Sequence, residues 1–551
     1  MTASLRLKKH WVKIVLFLIL IVGLVLRFIH FENTTFGYDQ ARDALVARRM
    51  FIDDPIKIQG PTTDIPGLFH GALYWYLIAP FYFFAKGDPL GPKVFLTVLN
   101  LLNVFFIFFF SKKLFGKTSV ALISAFIFAV SLEAIQYGRW LSNPSPALLS
   151  IAVFYYGVWL ALNKKPLGIG LMLLGLSVSM QLQAFLAYLS LFFIFTTIHY
   201  LKSSSIKTLF TRANVVLTGL ALFFFTPYLI SELKFKFQAS KAFLGFLTKS
   251  EGEVKDPFFI LQKLNRFIDS LVTNVSYNIV DFSRLVSTIT LVLIVLFAIW
   301  IIIKSKKERG RVVFLILWLL SPGLIYVLEK NNSYFLNIGN IYPLIILTAL
   351  MIEGLTSKLS KTLRILAVAF FLGVIAISNI SFAIQNNKTG ESLFSVQNSI
   401  NLADEKKMID WMYGEAGGKP FSVNSVTNPL FTNTNWSYLF EWYGRGKYGY
   451  MPIWAGYPQD GVFGAEIQFA KKPLQPGLVH FLIIEPSTGI PHEYILAYRV
   501  YEHNRGRLVE SRQFGEFSIE KRILEKNTHF LRDDLVKYLP NQDTLLKPLD
   551  Q

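Results

Sequence analysis

Phe36-Gly-Tyr-Asp-Gln-Ala-Arg-Asp43 is the stretch on which the interpretation of this sequence depends. It places Asp39, Arg42 and Asp43 within five residues, directly after the first long apolar segment and before a loop interrupted by proline and glycine. If residues 38 to 49 are helical, Asp39 lies one turn from both Arg42 and Asp43, because residues three and four apart share a helix face. The stretch therefore predicts a short helix that brings three charges together.

The same helix would carry Ala41, Leu45 and Val46 on one mostly apolar side. This pattern predicts a short helix that lies along a membrane surface. A plainer alternative is a juxtamembrane helix with solvated charges and an acidic N-terminal cap. The spacing alone does not separate the two interpretations.

The composition indicates a membrane protein with many spans. Of its 551 residues 53% are hydrophobic and 15% aromatic, and only 17% are charged, against about 25% in soluble domains. The mean hydropathy is +0.43. The chain has no cysteine, so a disulfide, a thiolate metal site and a cysteine nucleophile are excluded.

The net charge of +19 is unevenly distributed. Residues 386 to 551 contain 18 Lys/Arg and 19 Asp/Glu, which leaves a net charge of +20 on the preceding part. A strongly basic chain can bind nucleic acid, but here the basic residues follow the apolar segments. We therefore interpret them as topology signals and expect membrane lipids, and no nucleic acid, as partners.

Eleven apolar segments are predicted as membrane spans. The first follows Arg6, Lys8 and Lys9 and lacks the small-residue cleavage site of a secretory signal, so we expect an anchor with a cytoplasmic N-terminus. The eleven are residues 11 to 30, 94 to 110, 118 to 134, 146 to 162, 167 to 182, 185 to 201, 214 to 231, 285 to 303, 312 to 328, 336 to 352 and 363 to 382.

A further apolar block, residues 72 to 85, is short for a span and is bracketed by Gly71, Pro80 and Gly87. If it crossed the membrane, the basic cluster at residues 112 to 117 would lie outside, against the positive-inside bias. We therefore predict a re-entrant or interfacial helix. Nearly all short-loop basic residues then fall on the cytoplasmic side, which is typical of a multi-pass plasma-membrane protein.

The polar and irregular segments collect on the opposite, outer face. They include residues 31 to 71, a long basic connection from residue 232 to 284, and the C-terminal region. The connection is interpreted either as a mobile lid over a donor phosphate or as a solvated connector attracted to anionic headgroups. Residues 1 to 385 are thus predicted as a transmembrane domain and residues 386 to 551 as an exported α/β domain.

Within the C-terminal domain, residues 405 to 412 are predicted as a helix, and residues 421 to 426, 479 to 484 and 494 to 501 as strands. Four aromatic residues there are suited to stacking on a sugar, although such residues are more often part of a core. They are Trp436, Tyr438, Trp442 and Tyr443.

The order of these features resembles that of a known class of enzymes. An anchor, an acidic outer loop, a short Leu-Tyr-Trp-Tyr helix and a span ending in Lys-Lys-Leu-Phe-Gly-Lys resemble the GT-C polytopic glycosyltransferases. The branch is that of protein O-mannosyltransferases and bacterial lipid A aminoarabinose transferases. The resemblance covers residues 10 to 380 in architecture and residues 36 to 145 in motifs. It implies an all-α polytopic membrane bundle of about eleven helices with an exported C-terminal α/β domain.

The resemblance also implies an active site. The acidic residue of the family's first outer loop is matched by Asp39, and Gln40 stands where many members have a second acid. The family's Lys-Pro-Pro-Leu-Tyr-type stretch corresponds to His70-Gly-Ala-Leu-Tyr-Trp75, which lacks the lysine and both prolines. An arginine and an amide after the third span are matched by Arg139 and Asn143. The implied catalytic residue is Asp39, and the implied substrate-binding residues are Arg42, Asp43, His70, Tyr74, Arg139 and Asn143.

The implied reaction moves a sugar, with inversion, from a polyprenyl-phosphate donor to a protein, lipid or glycan acceptor at the outer face. Asp39 would act as a general base, a role worth about 10² to 10⁴ in rate. Arg139 would stabilise the departing phosphate, because preorganised cations act most strongly in a low-dielectric site. No cofactor is expected and no metal site has a specific ligand spacing, although a divalent metal is left open.

Each substrate-binding residue has a structural alternative. Arg139 is also suited to anchoring a helix end at the interface, and Arg42 to pairing with Asp39 or Asp43. His70 is more often a structural hydrogen-bonding residue. Asn143 is also suited to capping the helix expected to start at residue 146.

Two other functions compete with sugar transfer. One is a transporter or lipid flippase, but almost every ionisable residue is predicted at the end of a span, which argues against an ion-coupled pathway. The other is an oligosaccharide polymerase or ligase that uses a lipid-linked donor.

Overall fold

The computed structural model describes residues 3–248, 259–328, 334–394, 399–455, 468–470, 472–486, 488–530, 534–535 and 537–539. It divides into two compact units, each assembled from three stretches of chain. Unit 1 comprises Met1–Ile29, Ile56–Leu77 and Lys93–Gln385, and unit 2 comprises His30–Pro55, Ile78–Pro92 and Asn386–Gln551. The predicted first outer loop is thus divided between the two units.

The helices up to residue 389 follow the apolar segments of the sequence. They are α1 (Ala3–Phe28), α2 (Tyr38–Arg49), α3 (Leu73–Phe84), α4 (Leu90–Phe115), α5 (Thr118–Val130), α6 (Leu132–Arg139), α7 (Ala147–Leu162), α8 (Leu167–Leu182), α9 (Leu189–Ser203), α10 (Arg212–Lys234), α11 (Gln238–Thr248), α12 (Phe259–Asn278), α13 (Arg284–Lys304), α14 (Arg309–Leu320), α15 (Gly323–Leu328), α16 (Ile341–Thr356) and α17 (Lys361–Thr389).

The described helices make the chain a multi-pass membrane protein. Eight of them are long and apolar enough to cross a membrane, or nine if the bent pair α5 and α6 counts as one span. All eleven predicted spans coincide with helices, which confirms the all-α bundle. However, α7 and α8 have 16 residues each, about 24 Å at 1.5 Å per residue. The predicted count of eleven is therefore eight or nine by length and composition.

The predicted short helix at residues 72 to 85 is confirmed as α3, which has 12 residues and contains Pro80. The predicted connection from residue 232 to 284 also contains helices, since α11 and α12 both lie within it. Its residues 249–258 lie outside the described part of the chain. Its role as a lid or a connector stays a prediction.

The predicted span at residues 118 to 134 is helical but not continuous. The chain bends by 56° at Ser131, between α5 and α6. The bend is stabilised by side chains that replace lost helical hydrogen bonds: the Ser131 hydroxyl accepts from the Ala134 N–H at 3.0 Å, and Asn379 Oδ1 accepts from the Leu132 N–H at 3.0 Å. Capping of this kind allows a helix to stop and restart.

Unit 2 contains a six-stranded mixed sheet. The order is β3-β2-β1-β4-β6-β5, with β1 parallel to β2 and β4, β2 parallel to β3, and β6 antiparallel to β4 and β5. The strands are β1 (Ser422–Val426), β2 (Ile453–Trp454), β3 (Gln468–Phe469), β4 (Val479–Ile484), β5 (Gly506–Phe514) and β6 (Phe517–Leu524), and the helices are α18 (Leu402–Ala416), α19 (Thr434–Leu439), α20 (Arg445–Tyr448) and α21 (His492–His503). The predicted α/β domain, its first helix and two of its strands are confirmed.

The predicted strand at residues 494 to 501 is wrong, because these residues belong to α21. Ile495, Tyr498, Tyr501 and Glu502 are buried, and their spacing of three, three and one is that of one helix face. Three Tyr, one Ile and one Val within these residues, residue types that are common in strands, had suggested a strand. The hairpin of β5 and β6 was not predicted.

The stretch around α2 is part of unit 2. Thr35 forms a bridge with Asn401, and the Phe36 N–H donates to Ile400 O at 3.3 Å. Helix α2 packs against α19, and Arg48 pairs with Glu441 at 3.3 Å. The helix predicted between residues 38 and 49 is confirmed. Of its first three charges only Asp39 is solvated, because residues 40 to 47, which include Arg42 and Asp43, are all buried.

Candidate active site

Three charged side chains meet on the first turns of α2, as the spacing predicted. Arg42 Nη1 donates to Asp39 Oδ1 at 2.7 Å, and Arg42 Nε and Nη2 donate to Asp43 Oδ1 at 3.1 and 3.0 Å. The side chain of Asp39 is 63% exposed, whereas those of Arg42 and Asp43 are 10% and 3% exposed. Arg42 thus pairs with both acids, and Asp39 presents the accessible carboxylate.

The charge state of Arg42 follows from its surroundings. Burial by itself lowers the pKa of Arg42, but the carboxylates of Asp43 and Asp39 outweigh burial and raise that pKa. The guanidinium therefore stays protonated and acts as a fixed positive support beneath Asp39. Charge-assisted hydrogen bonds of this kind are about twice as strong as neutral ones.

Gln40 has a structural role at the position where many members of the resembling family carry a second acid. Its Oε1 accepts from the Gly37 N–H at 3.0 Å. This is the contact that the fourth residue of a capping box makes with the residue before the helix. The amide therefore fixes the start of α2 and with it the position of Asp39.

His70 is anchored within unit 1 by its imidazole and its backbone. Its Nδ1 accepts from the Ala184 N–H at 3.0 Å, so a neutral ring carries its proton on Nε2. Its backbone N–H donates to Pro61 O at 2.9 Å, and its carbonyl accepts from the Gly60 N–H at 2.9 Å. Tyr74, in the first turn of α3, is 1% exposed.

Asn143 does not cap the helix that follows it. Helix α7 starts at Ala147 without a side-chain cap. The Asn143 amide instead donates to Leu182 O at 2.7 Å, at the last residue of α8. The predicted capping alternative is wrong, and Asn143 fastens the loop after α6 to α8.

Arg139, the last residue of α6, holds the end of another helix. Its Nη1 donates to Arg27 O at 2.7 Å and to Ile29 O at 3.0 Å, where α1 ends. A cation is favoured beside the free carbonyls of a helix C-terminus. Arg139 is 6% exposed, so its side chain lies inside the protein and holds a helix end there, and its role in binding phosphate stays a prediction.

Two ionisable residues inside unit 1 were missed by the sequence analysis. Glu133 and Arg27 are both fully buried. Arg27 donates to Asn100 Oδ1, Gly23 O and Ala129 O at 2.8 to 3.0 Å, while its Nη2 has no hydrogen-bond partner among the described residues. Glu133 was assigned to the end of a span, but the chain bends there and continues as helix. Its signal in the sequence is that it is the one acid between residues 118 and 139.

The four aromatic candidates of unit 2 divide into two pairs. Trp436 and Tyr438 are fully buried, so these two belong to the core. Trp442 and Tyr443 are half-buried and lie in a five-residue π-helix, Phe440–Gly444. Such insertions turn side chains away from the regular helical face.

A Ser-His-Glu arrangement in unit 2 does not make a second active site. Ser422 Oγ lies 2.8 Å from His480 Nδ1, and His480 Nε2 lies 3.0 Å from Glu502 Oε2. A catalytic triad joins the same residue types, but there Nε2 faces the serine and Nδ1 faces the acid, whereas here the two nitrogens are exchanged. All three residues are also fully buried. A substrate could not reach the hydroxyl, so the three residues tie β1, β4 and α21 together.

No group of three or more His, Asp or Glu side chains comes together to hold a metal among the residues that the structure describes. The candidate site in unit 2 is the α2 triad. In unit 1, Arg139 and Asn143 are each anchored at the end of another helix.

Comparison with known proteins gives a structural likeness and no sequence likeness. No protein-family model matches the chain, and no curated protein is similar to it in sequence. The crystal structure of ArnT from Cupriavidus metallidurans in the apo state is similar, with a TM-score of 0.54 and 10% identity over 93% of this chain and 98% of that one. The ArnT structure bound to undecaprenyl phosphate has a TM-score of 0.57 and 9% identity over 92% and 97%.

A third structure is that of arabinofuranosyltransferase AftD from Mycobacteria. Its alignment covers 95% of this chain and 40% of the AftD chain at 12% identity, with a TM-score of 0.42. The ArnT likeness extends over nearly the whole of both chains. At about 10% identity this likeness shows the fold and does not identify the substrates. The chain has the GT-C fold of the polytopic glycosyltransferases, as the resemblance in its sequence implied.

Proposed function

We propose that this protein is an inverting membrane glycosyltransferase, which moves a hexosyl or pentosyl group from a polyprenyl-phosphate-linked donor to an acceptor at the outer face of the plasma membrane. The proposal places α2 and the C-terminal module on the outer face and the N-terminus in the cytoplasm. The acceptor is a protein, a lipid or a glycan that carries a hydroxyl or amino nucleophile.

The observation that carries the proposal is the contrast within the α2 triad. Asp39 is 63% exposed, while the Arg42 that orients it is 10% exposed and the Asp43 behind Arg42 is 3% exposed. A carboxylate that is held from behind and open in front is the arrangement a general base needs, because the base must reach the proton that it removes.

The chemistry is one displacement. The Asp39 carboxylate removes the proton of the acceptor nucleophile, whose electron pair attacks the anomeric carbon of the donor. The bond between that carbon and the phosphate oxygen breaks, and the electron pair leaves with the polyprenyl phosphate. A single displacement inverts the configuration at the anomeric carbon.

We propose Arg139 as the group that stabilises the charge gathering on the departing phosphate. The contacts of its Nη1 with Arg27 O and Ile29 O fix the orientation of the guanidinium plane. Arg42 and Asp43 support Asp39, and His70, Tyr74 and Asn143 shape the substrate-binding surface of unit 1.

The lipid-linked donor is supported by the similar ArnT structure, which contains undecaprenyl phosphate, and by the apolar surface of the spans, which gives a lipid carrier access from the bilayer. The basic residues of the short loops, placed on one side by the positive-inside bias, support the proposed orientation.

The test is reconstitution in vesicles with a labelled polyprenyl-phosphate sugar and extracted envelope acceptors. We expect Asp39→Asn to lower the release of polyprenyl phosphate by about 10² to 10⁴, the usual contribution of a general base. Asp53→Asn, four residues beyond the end of α2 and 55% exposed on its side chain, is the control and should keep wild-type turnover. Unchanged turnover with asparagine at position 39 would remove Asp39 from the mechanism.

A transporter or lipid flippase is the second candidate, because Glu133 and Arg27 are buried inside the membrane unit, where ionisable groups often mark a transport pathway. In the same vesicles, movement of the intact labelled donor across the bilayer without cleavage of the sugar–phosphate bond would favour this candidate.

A further inference from the structure

Glu133 is the centre of a polar cluster at the bend between α5 and α6. Its Oε2 accepts from the Tyr334 hydroxyl at 2.8 Å, from Asn274 Nδ2 at 3.3 Å and from Asn278 Nδ2. The Tyr334 hydroxyl and Asn274 Nδ2 also lie 2.6 Å apart. One carboxylate oxygen therefore joins α6 to the end of α12 and to the segment that precedes α16.

The cluster extends to the bend itself. The Ser131 hydroxyl donates to Asn278 Oδ1 at 2.6 Å and accepts from the Ala134 N–H. Asn278 also donates to Asn274 O at 2.7 Å. The first turn of α6 is thus held by side chains from α12 and from the segment before α16. The hydrogen bonds of Ser131 and Asn278 are all buried.

The setting of Glu133 is unusual for a structural acid. It is fully buried in a membrane-spanning unit, and its partners are neutral, two amides and one phenol. The start of a helix favours a negative charge, but an acid buried in this way still has a large desolvation cost. Acids in such places are generally kept for function.

Helix α6 has eight residues, and a helix of that length is not stable by itself in isolation. Its position is therefore set by the contacts at its two ends and along its side. Glu133 holds the first turn, and Arg139 holds the last turn to the end of α1. Between them, the Thr97 hydroxyl donates to Gly138 O at 2.7 Å.

We propose that Glu133 is the positioning residue for Arg139: by fixing the first turn of α6 to α12 and Tyr334, it holds the guanidinium at the other end of α6 where it binds the phosphate of a polyprenyl-phosphate ligand. This rests on the proposed function of Arg139. It also assigns a task to the outer connection, because α12 supplies two of the three groups that hold the carboxylate. A change in the position of α12 is then transmitted through α6 to the phosphate site.

The experiment measures equilibrium binding of undecaprenyl phosphate, and separately of undecaprenol, to the full-length protein in detergent micelles. The alcohol has the same chain without the phosphate, so a general loss of fold weakens both ligands, and a misplaced Arg139 weakens the phosphate alone. Neither ligand requires the identity of the sugar.

We expect Arg139→Gln to weaken undecaprenyl phosphate about 10- to 100-fold, the usual contribution of hydrogen bonds to a charged group. Glu133→Gln should weaken it about tenfold, and both variants should bind undecaprenol as the wild type does. The double variant should match Arg139→Gln alone, because a residue that acts through Arg139 has no effect once Arg139 is absent.

Glu353→Gln is the matched control. Glu353 is also a buried glutamate of unit 1, 6% exposed, but it pairs with Arg364 at 2.6 Å, on the side of the bundle predicted to be cytoplasmic. It should change neither affinity. Glu133→Gln should fold, since Asn274 Oδ1 has no hydrogen-bond partner in the part of the chain that the structure describes and is suited to accept from the new amide. If Glu133→Gln does not fold, Tyr334→Phe takes its place in the double-variant comparison with Arg139→Gln. It removes one donor to the Glu133 carboxylate and should lower the affinity for undecaprenyl phosphate two- to threefold.

The proposal is overturned by wild-type affinity for undecaprenyl phosphate in Glu133→Gln, by losses that multiply in the double variant, or by an equal loss for undecaprenol in Glu133→Gln. An Arg139→Gln variant that binds undecaprenyl phosphate normally also overturns it, because there is then no phosphate contact for Glu133 to position. The proposed transfer reaction is tested separately by Asp39→Asn, so failure of the one is distinguishable from failure of the other.

Discussion

Asp43 contributes to the site by holding Arg42. Two guanidinium nitrogens of Arg42 donate to the same oxygen of Asp43, and the carboxylate is almost fully buried. Asp43→Asn keeps the size of the side chain but removes the charge that Arg42 faces. We expect unit 2 to lose about 1 to 3 kcal/mol of unfolding free energy, the range for a buried charged hydrogen bond.

The measurement is the thermal unfolding midpoint in detergent, which should fall by about 2 to 4 °C for each kcal/mol in a unit of this size. The control is Asp53→Asn, which removes an ion pair to Arg49 in which both side chains are about half exposed. Exposed pairs contribute about 0 to 1 kcal/mol, so the control should move the midpoint little. Equal shifts in the two variants would contradict the supporting role of Asp43.

His70 allows a test with two substitutions that each keep one half of the ring. Asparagine places its oxygen near the position of Nδ1, which accepts from the Ala184 N–H, while glutamine extends past it toward Nε2. We expect His70→Asn to stay within about 1 kcal/mol of the wild type in unfolding free energy, and His70→Gln to lose about 1 to 3 kcal/mol by leaving a backbone donor unpaired. The thermal midpoint decides, and the opposite order would contradict the anchoring role of Nδ1.

At the scale of elements, α18 contains an acid whose charge opposes folding. Burial raises the pKa of Glu405 well above its ordinary value, although a hydrogen bond from Asn435 lowers it in part. The folded protein thus keeps a proton that the unfolded chain loses above about pH 4.3. Stability should therefore fall as the pH rises above that value, by at most about 1.4 kcal/mol per pH unit for this group.

Glu405→Gln removes this dependence, because the amide does not titrate. We expect its unfolding midpoint to rise relative to the wild type as the pH increases from 5 to 8. Glu391→Gln, an exposed acid of the same unit, should follow the wild type at every pH. A constant difference between Glu405→Gln and the wild type across this range would show that Glu405 is already ionised when folded.

The elements could be predicted from the sequence where one local period dominates. The apolar runs predicted every span as a helix, the residues of β4 were predicted without error, and the spacing of Asp39, Arg42 and Asp43 predicted the triad. Helix α21 was taken for a strand because residues 494 to 501 include three Tyr, one Ile and one Val, residue types that are common in strands, and eight residues do not separate a period of 2 from one of 3.6.

The bend at Ser131 could not be predicted for a different reason. Serine within an apolar run does not stop a helix by itself, and the groups that make the stop possible come from Asn278 and Asn379, more than 140 residues away. Contacts over such distances leave no local pattern. The same holds for the inclusion of α2 in unit 2, since Thr35 and Gly390 are 355 residues apart.

At the scale of the whole molecule, the proposed orientation in the membrane can be tested directly because the chain has no cysteine. Single cysteines at Asp53, Arg445 and Lys306, all exposed in the structure, would be the only reactive thiols. We expect a membrane-impermeant maleimide to label the first two in intact cells, and to label position 306 only after the membrane is opened.

If none of the three positions is labelled in intact cells, or if all three are, the proposed outer active site is contradicted. Labelling of position 53 without position 445 would contradict it as well, because residues 30–55 and the C-terminal module fold as one unit.

Unit 2 is assembled from stretches that lie far apart in the sequence, and this affects how the protein can fold during its synthesis. The hydrogen bond from the Thr35 hydroxyl to Gly390 O needs a residue made 355 positions later, and a ribosome adding about 5 to 20 residues per second takes roughly 20 to 70 s to reach it. In the proposed orientation, the nascent segment that holds Asp39 lies outside the lipid during that interval without its structural partner. The polypeptide therefore cannot hold the proposed catalytic carboxylate in its final position until the C-terminal part of unit 2 has been made, and a chaperone that shields the early segment would be expected to determine the yield of active protein.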